Sequence, residues 1–124
     1  MHLYDKHMVM IHKNMDVWKL SMDLVTNVYE LTTKYPMEER YGLAQQMRRA
    51  AVSIPSNIAE GAARKSPKEF IQFLHISLGS LSELETQLEI SKRLGFIRED
   101  SISAINNLNR IRQMLQGLIR FKQT

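Results

Sequence analysis

Apolar residues recur at alternating spacings of three and four along almost the whole chain, in four long segments. This spacing places them on one face of an α-helix. It predicts helices over residues 16–35, 43–64, 67–94 and 99–121, and no strand pattern competes with them. Four amphipathic helices joined by short loops can bury their apolar faces only against one another. We therefore predict an all-α protein, an up-down-up-down four-helix bundle over residues 15–122.

The clearest boundaries enclose the third segment. Ser66, Pro67 and Glu69 match a capping box with proline at the first helical position. Gly95 is suited to the left-handed conformation that ends a helix. Residues 1–14 lack this patterning and are interpreted as a flexible N-terminal arm. Their apolar run is too short for a signal peptide, and no run is long enough to span a membrane, so we expect a cytoplasmic protein.

Chemistry-bearing residues are few. The chain has no cysteine, which excludes disulfides and thiolate metal sites. The four histidines lack the spacing of metal ligands. Ser53 and Glu60 have no histidine placed to complete a nucleophilic relay. We therefore expect no cofactor, no metal and no enzymatic activity. The aromatic residues are expected in the core rather than on a stacking platform: Trp18, Tyr29, Phe70 and Phe73.

Charge is segregated along the sequence. Residues 40–68 and 92–124 each carry a net charge of +5, whereas residues 1–39 carry −2 and residues 69–91 carry −4. Basic side chains on the second and fourth helices could contact phosphates. The predicted contacts to RNA or DNA are Arg48, Arg49, Arg64, Lys65 and Arg112. The alternative is an ordinary solvated face, because charges commonly cover the outside of a helix.

The third segment carries a second apolar stripe. Ile76, Ile90 and Leu94 lie nearly opposite the leucines of its core face when the segment is drawn as a helix. A subunit interface accounts for this stripe, and we predict self-association through these residues. Scattered surface hydrophobics are the alternative.

One stretch of the second segment is unusual. Residues 48–61 read RRAAVSIPSNIAEG and place Pro55 inside a helix, where proline costs about 3 kcal/mol. Ser53, Ser56 and Asn57 can donate hydrogen bonds to the freed backbone groups. The neighbouring alanines allow another helix to approach closely. Glu60 and Arg64, one turn apart, are expected to form an ion pair.

This stretch, with Asp16-Val17-Trp18 before it and residues 81–97 after it, closely resembles a family of four-helix bundles encoded by intervening sequences in 23S ribosomal RNA genes. The resemblance covers about residues 14–120. The family is similar to the accessory variability determinant of diversity-generating retroelements, a basic pentameric barrel that associates with a reverse transcriptase and nucleic acid. The resemblance therefore implies a homopentamer.

The expected function is that of a non-enzymatic, oligomeric scaffold that binds RNA or DNA through pooled basic residues. Two alternatives stay open at this point. One is a structural or protein-interaction module without a nucleic-acid partner. The other is an accessory protein of a retroelement reverse transcriptase.

Overall fold

The computed structural model describes residues 15–103, 105 and 107–123. Four long helices and one short helix carry most of this part of the chain. They are α1 (Asp16–Thr32), α2 (Leu43–Ala62), α3 (Pro67–Arg93), α4 (Glu99–Ser103) and α5 (Asn107–Gln123), with a short 3-10 turn at Met37–Glu39. The described residues contain no strand. The all-helical prediction is confirmed, and the predicted N-terminal arm lies outside the described residues.

The long helices alternate in direction. The start of α2 contacts the end of α3 through Met47 and Ser91, whereas the end of α2 meets the start of α3 at Gly61. Arg112, near the start of α5, pairs with Glu85 in the second half of α3. The packed pairs α1–α2, α2–α3, α3–α5 and α5–α1 close a ring around one core.

The core contains most of the apolar residues that the three-and-four spacing predicts. Of the aromatic residues expected there, Phe70 is buried, Trp18 packs against the core, and Phe73 is only partly buried. Burial of apolar side chains is the main favourable term in such a fold, since each fully buried Leu or Ile contributes about 1.5–3 kcal/mol. All four long helices supply fully buried side chains, which include Leu24, Met47, Ile54, Ile58, Leu74, Leu81, Leu84, Ile111 and Leu115.

Local signals set the ends of α3. The Ser66 hydroxyl accepts a hydrogen bond from the Glu69 amide at 3.4 Å, and Pro67 occupies the first turn. At the other end Gly95 has φ +80°, and the Phe96 amide reaches back to the Ser91 carbonyl at 2.9 Å. These are the hydrogen bonds of a capped start and a Schellman stop. Both boundaries lie within one residue of the prediction.

Helix α2 continues through Pro55, which is buried. The two carbonyls immediately before the proline accept side-chain hydrogen bonds. The Asn57 amide donates to the Ser53 carbonyl at 2.8 Å, and the Ser77 hydroxyl of α3 donates to the Ile54 carbonyl at 2.9 Å. Asn57 thus bonds the helix backbone, but at the Ser53 carbonyl and not at the Ala51 carbonyl that loses its donor to Pro55. Ser77 reaches the helix from a distant part of the sequence. These bonds help to offset the cost of proline in a helix.

The predicted single helix over 99–121 is wrong near its start, where the helix is interrupted. Helix α4 ends at Ser103, Ile105 lies in a turn, and α5 begins at Asn107. The sequence here contains two consecutive asparagines, Asn106 and Asn107. Asparagine disfavours helix interiors because its side chain competes for backbone hydrogen bonds. The Ile105 side chain is buried, so the turn still contributes to the core.

The first two helices are also shorter than predicted. Helix α1 ends at Thr32 rather than residue 35, and the next amides bond three residues back, from Lys34 to Leu31 at 3.3 Å and from Tyr35 to Thr32 at 3.1 Å. Such tightening is common at helix ends. Helix α2 ends at Ala62 rather than residue 64. Among the described residues, no helix has the length and apolar character needed to cross a membrane.

Candidate nucleic-acid interface

Arg48 is held in place where the start of α2 passes the end of α1. Its Nε donates to the Thr32 hydroxyl at 2.8 Å, and its Nη2 donates to the Tyr29 carbonyl at 3.5 Å. Its guanidinium also lies 4.6 Å from the centroid of the Tyr29 ring. Stacking on an aromatic face and several hydrogen bonds restrict a long side chain. Arg48 is therefore a partly buried cation in a defined position.

Two further arginines lie beside Arg48. Arg49 follows it in α2 and is exposed, and Arg40 lies in the loop before α2, 5.9 Å from the centroid of the Tyr41 ring. Together with Tyr29 they surround a depression of about 360 Å³. We call it the Arg–Tyr cleft, and its full lining is Tyr29, Arg40, Tyr41, Gln45, Arg48 and Arg49.

A second hollow adjoins this cleft. It has a volume of about 330 Å³ and shares Arg40 and Arg48 with the cleft. We call it the threonine pocket. Its full lining is Thr32, Thr33, Tyr35, Pro36, Met37, Arg40, Ala44 and Arg48. The Thr32 hydroxyl donates to the Val28 carbonyl at 2.8 Å and the Thr33 hydroxyl donates to the Glu30 carbonyl. The guanidinium groups of Arg40 and Arg48 are therefore the donors here that suit phosphate oxygens.

Glu38 and Glu39 directly precede Arg40 in the sequence, but the arginines of the cleft form no ion pair with the residues that the structure describes. Across the part of the chain that the structure describes, no carboxylate lies within ion-pair distance of Arg40, Arg48 or Arg49. The cleft and the pocket are both lined without Asp or Glu. An uncompensated cluster of like charges produces a local positive potential that attracts polyanions.

The other predicted phosphate contacts lie elsewhere. Lys65 is exposed in the loop after α2, whose last residue, Ala62, lies about 20 Å along the helix axis from Arg49. Arg64 beside it pairs with Glu60 at 2.9 Å and lies 4.0 Å from Glu69. The predicted Glu60–Arg64 ion pair is thus confirmed, and it partly compensates the charge of Arg64. The five predicted basic residues do not form one surface.

Arg112 bridges two helices of the bundle. Its guanidinium bonds the Glu85 carboxylate of α3, and it also donates to Asn109 at 3.3 Å. The Arg112 side chain is 25% exposed and that of Glu85 is 34% exposed. The hydrogen bond to Glu85 raises the pKa of Arg112 above its usual value. The structure thus places Arg112 in an interhelical contact.

Sequence reasoning missed the aromatic half of the cleft. The expected core position of Tyr29 is wrong, because its side chain is 43% exposed and contacts Arg48. The helical period could not separate it from the core face, since Tyr29 lies one position after the fully buried Val28. The one sign of these aromatic residues in the sequence was the adjacent pair Arg40-Tyr41 in a short loop. Tyr41 is 81% exposed.

Ile76, Ile90 and Leu94 lie outside the core, with exposed fractions of 49%, 42% and 58%. A second apolar surface is a groove of about 310 Å³ between α1 and α2. Its lining includes two partly exposed side chains, Met22 and Val52. The bundle thus presents apolar area on two different surfaces.

The model of the 23S rRNA-intervening sequence protein family matches residues 13–117. The chain belongs to this family. A crystal structure with a similar fold is that of a protein of unknown function from the S23 ribosomal protein family of Bacteroides thetaiotaomicron. It has a TM-score of 0.77 and 27% sequence identity, and the match covers 84% of this chain and 95% of that chain. No curated protein matches the chain. The predicted family is confirmed.

Proposed function

We propose that this member of the family is a non-enzymatic protein that binds nucleic acid through the Arg–Tyr cleft and acts as a homo-oligomer. The observation that carries the proposal is the cluster of Arg40, Arg48 and Arg49. These three cations come from one loop and one helix and lie without ion-pairing carboxylates in the described part of the protein. Arginine is well suited to phosphate because its donors form a planar fork.

The position of Arg48 favours a role in phosphate binding over the alternative of an ordinary solvent-exposed charge. A solvated arginine loses side-chain entropy when it binds a ligand. Arg48 has already lost part of that freedom, because Thr32 and the Tyr29 ring hold it. A preorganised cation binds phosphate at a lower entropic cost.

Self-association is the second part of the proposal. A closed ring needs two different complementary surfaces on each subunit. The α3 stripe of Ile76, Ile90 and Leu94 and the α1–α2 groove around Met22 and Val52 are two such apolar surfaces. A ring would also repeat the Arg–Tyr cleft, and several weak contacts along one polyanion strengthen binding through effective concentration.

Binding is tested by fluorescence anisotropy with a labelled single-stranded RNA of mixed sequence at several salt concentrations. Three phosphate contacts predict a slope of about −2 for log affinity against log salt, since each contributes about −0.7 on a single strand. The double variant Arg40→Glu/Arg49→Glu should flatten this slope and weaken binding more than about tenfold. Arg49 and Arg40 are exposed, so the bundle should remain folded.

The matched control is Arg110→Glu/Arg120→Glu, which reverses the charges of two exposed arginines on α5. It should leave affinity close to that of the unmodified protein. Binding that does not depend on salt, or equal losses in both variants, would contradict the proposal. A protein partner that persists after nuclease treatment would instead favour the interaction-module alternative.

Self-association is tested by sedimentation at micromolar concentration. The unmodified chain should sediment as an oligomer, and Ile76→Asp/Ile90→Asp should shift it toward the mass of one chain. Charged side chains are disfavoured at the core of an interface. The control Met37→Asp changes an apolar side chain that is 77% exposed, in the loop before α2. A monomeric mass for the unmodified protein would refute this part of the proposal.

A further inference from the structure

Tyr41 is an exposed aromatic residue on a structured turn. The residue is 81% exposed, although the backbone on both sides of it is hydrogen-bonded. The Gly42 amide donates to the Glu39 carbonyl at 3.1 Å, and the Gln46 amide donates to the Gly42 carbonyl at 3.0 Å. The Leu43 amide also donates to the Glu39 carboxylate at 3.2 Å. The turn therefore holds a large apolar ring in water, where it gains nothing from burial.

The surroundings of Tyr41 indicate what would cover the ring. It lines the Arg–Tyr cleft, where Arg40 lies 5.9 Å from its centroid and a second ring, Tyr29, lies beneath Arg48. Cations and aromatic faces in one depression match the two parts of a nucleotide, a phosphate and a planar base. The adjoining threonine pocket shares Arg40 and Arg48. Its Thr32 and Thr33 hydroxyls already donate to helix carbonyls, so the two guanidinium groups are the donors that it offers to a phosphate.

We propose that the Arg–Tyr cleft selects single-stranded nucleic acid, with one base stacked on Tyr41 and the adjacent phosphate at the mouth of the threonine pocket between Arg40 and Arg48. This inference rests on the proposed nucleic-acid binding and adds the class of ligand. In a duplex the base faces are stacked on one another, so only its phosphates are available to the cleft. An unpaired strand offers both groups.

Fluorescence anisotropy with labelled oligo-dT, oligo-U and a mixed-sequence DNA duplex of the same length tests the inference. Tyr41→Ala should weaken binding of both single strands about tenfold, the usual size of a lost base–aromatic stack. Tyr41→Phe, which keeps the ring, should bind as the unmodified protein does. The matched control is Phe121→Ala, which removes another exposed ring, on α5.

The salt dependence separates this inference from the function on which it rests. Tyr41→Ala should leave the salt slope and the affinity for the duplex unchanged, because the arginines remain. Unchanged affinity for the single strands, or an equal loss with the duplex, would overturn the stacking role while leaving phosphate binding intact. Absence of salt-dependent binding by the unmodified protein would refute the proposed function itself.

Discussion

Gly61, the last residue of the RRAAVSIPSNIAEG stretch, lies where α2 packs closely against α3. A Cβ atom added at this position would lie 2.8 Å from Cδ1 of Phe70 and 2.8 Å from Cβ of Phe73. The Phe70 carbonyl oxygen would be 3.3 Å away. Favourable carbon–carbon contacts lie at about 3.5–4.0 Å. Because a Cβ and a carbonyl are parts of α3 that cannot rotate away, Gly61→Ala requires the helices to separate.

The expected change in stability follows from two opposing terms. Alanine favours a helix over glycine by up to about 1 kcal/mol in a helix interior, and by less at this penultimate position of α2. Overpacking typically costs about 1–3 kcal/mol, and contacts with the backbone place this case in the upper part of that range. We expect Gly61→Ala to lower the free energy of unfolding by about 1–2 kcal/mol.

Urea denaturation followed by circular dichroism, at one fixed protein concentration, measures this difference. Gly117→Ala is the matched control, because an added Cβ there has Arg120 Nη2 at 3.8 Å as its nearest neighbour. It should stabilise the protein by about 0.5–1 kcal/mol. If both variants change stability in the same direction, close packing does not explain the glycine at position 61.

Two further predictions concern ionisable groups in the bundle. Burial raises the pKa of Tyr35 above its usual value, so the folded state keeps the phenol proton where the unfolded state loses it, and stability should fall as the pH rises above about 10. In Tyr35→Phe, the urea midpoint should fall less between neutral and alkaline pH than in the unmodified protein. Equal falls in the two proteins would contradict this prediction. Lys92, whose pKa is raised by Glu99, titrates in the same pH range. Its effect on stability is the same in the unmodified protein and in Tyr35→Phe, so it does not affect the comparison. Arg112→Met removes the partly exposed pair with Glu85 and should lower the free energy of unfolding by about 1 kcal/mol. That loss should shrink at high salt, which screens exposed charges, and a loss independent of salt would point to packing instead.

Local sequence signals were sufficient for helix type and for several helix ends. The apolar spacing predicted the buried residues, and the capping box at Ser66 and the glycine at position 95 located the ends of α3. Each of these features depends on residues within one or two turns. The break between α4 and α5 was missed because Ile105 remains on the apolar pattern although it lies in a turn.

Only part of the candidate site could be predicted from the sequence. Arg48 and Arg49 stood out as a pair in the sequence, but their partners come from the end of α1 and from the loop before α2. Whether an arginine is available to a phosphate depends on its acidic neighbours in space. Arg64 has two such neighbours, whereas Arg49 has none among the described residues.

The amino-acid sequence alone determined the helical class, the family and several helix ends, because these follow from contacts between residues close along the chain. The tertiary structure decided which charged and aromatic side chains come into contact. It brought Arg40 and Tyr41 beside Arg48, and it joined Arg112 to Glu85 across two helices. Such pairings depend on how helices turn and pack against one another, and helical periodicity does not specify that rotation closely enough to tell an exposed Tyr29 from its buried neighbour.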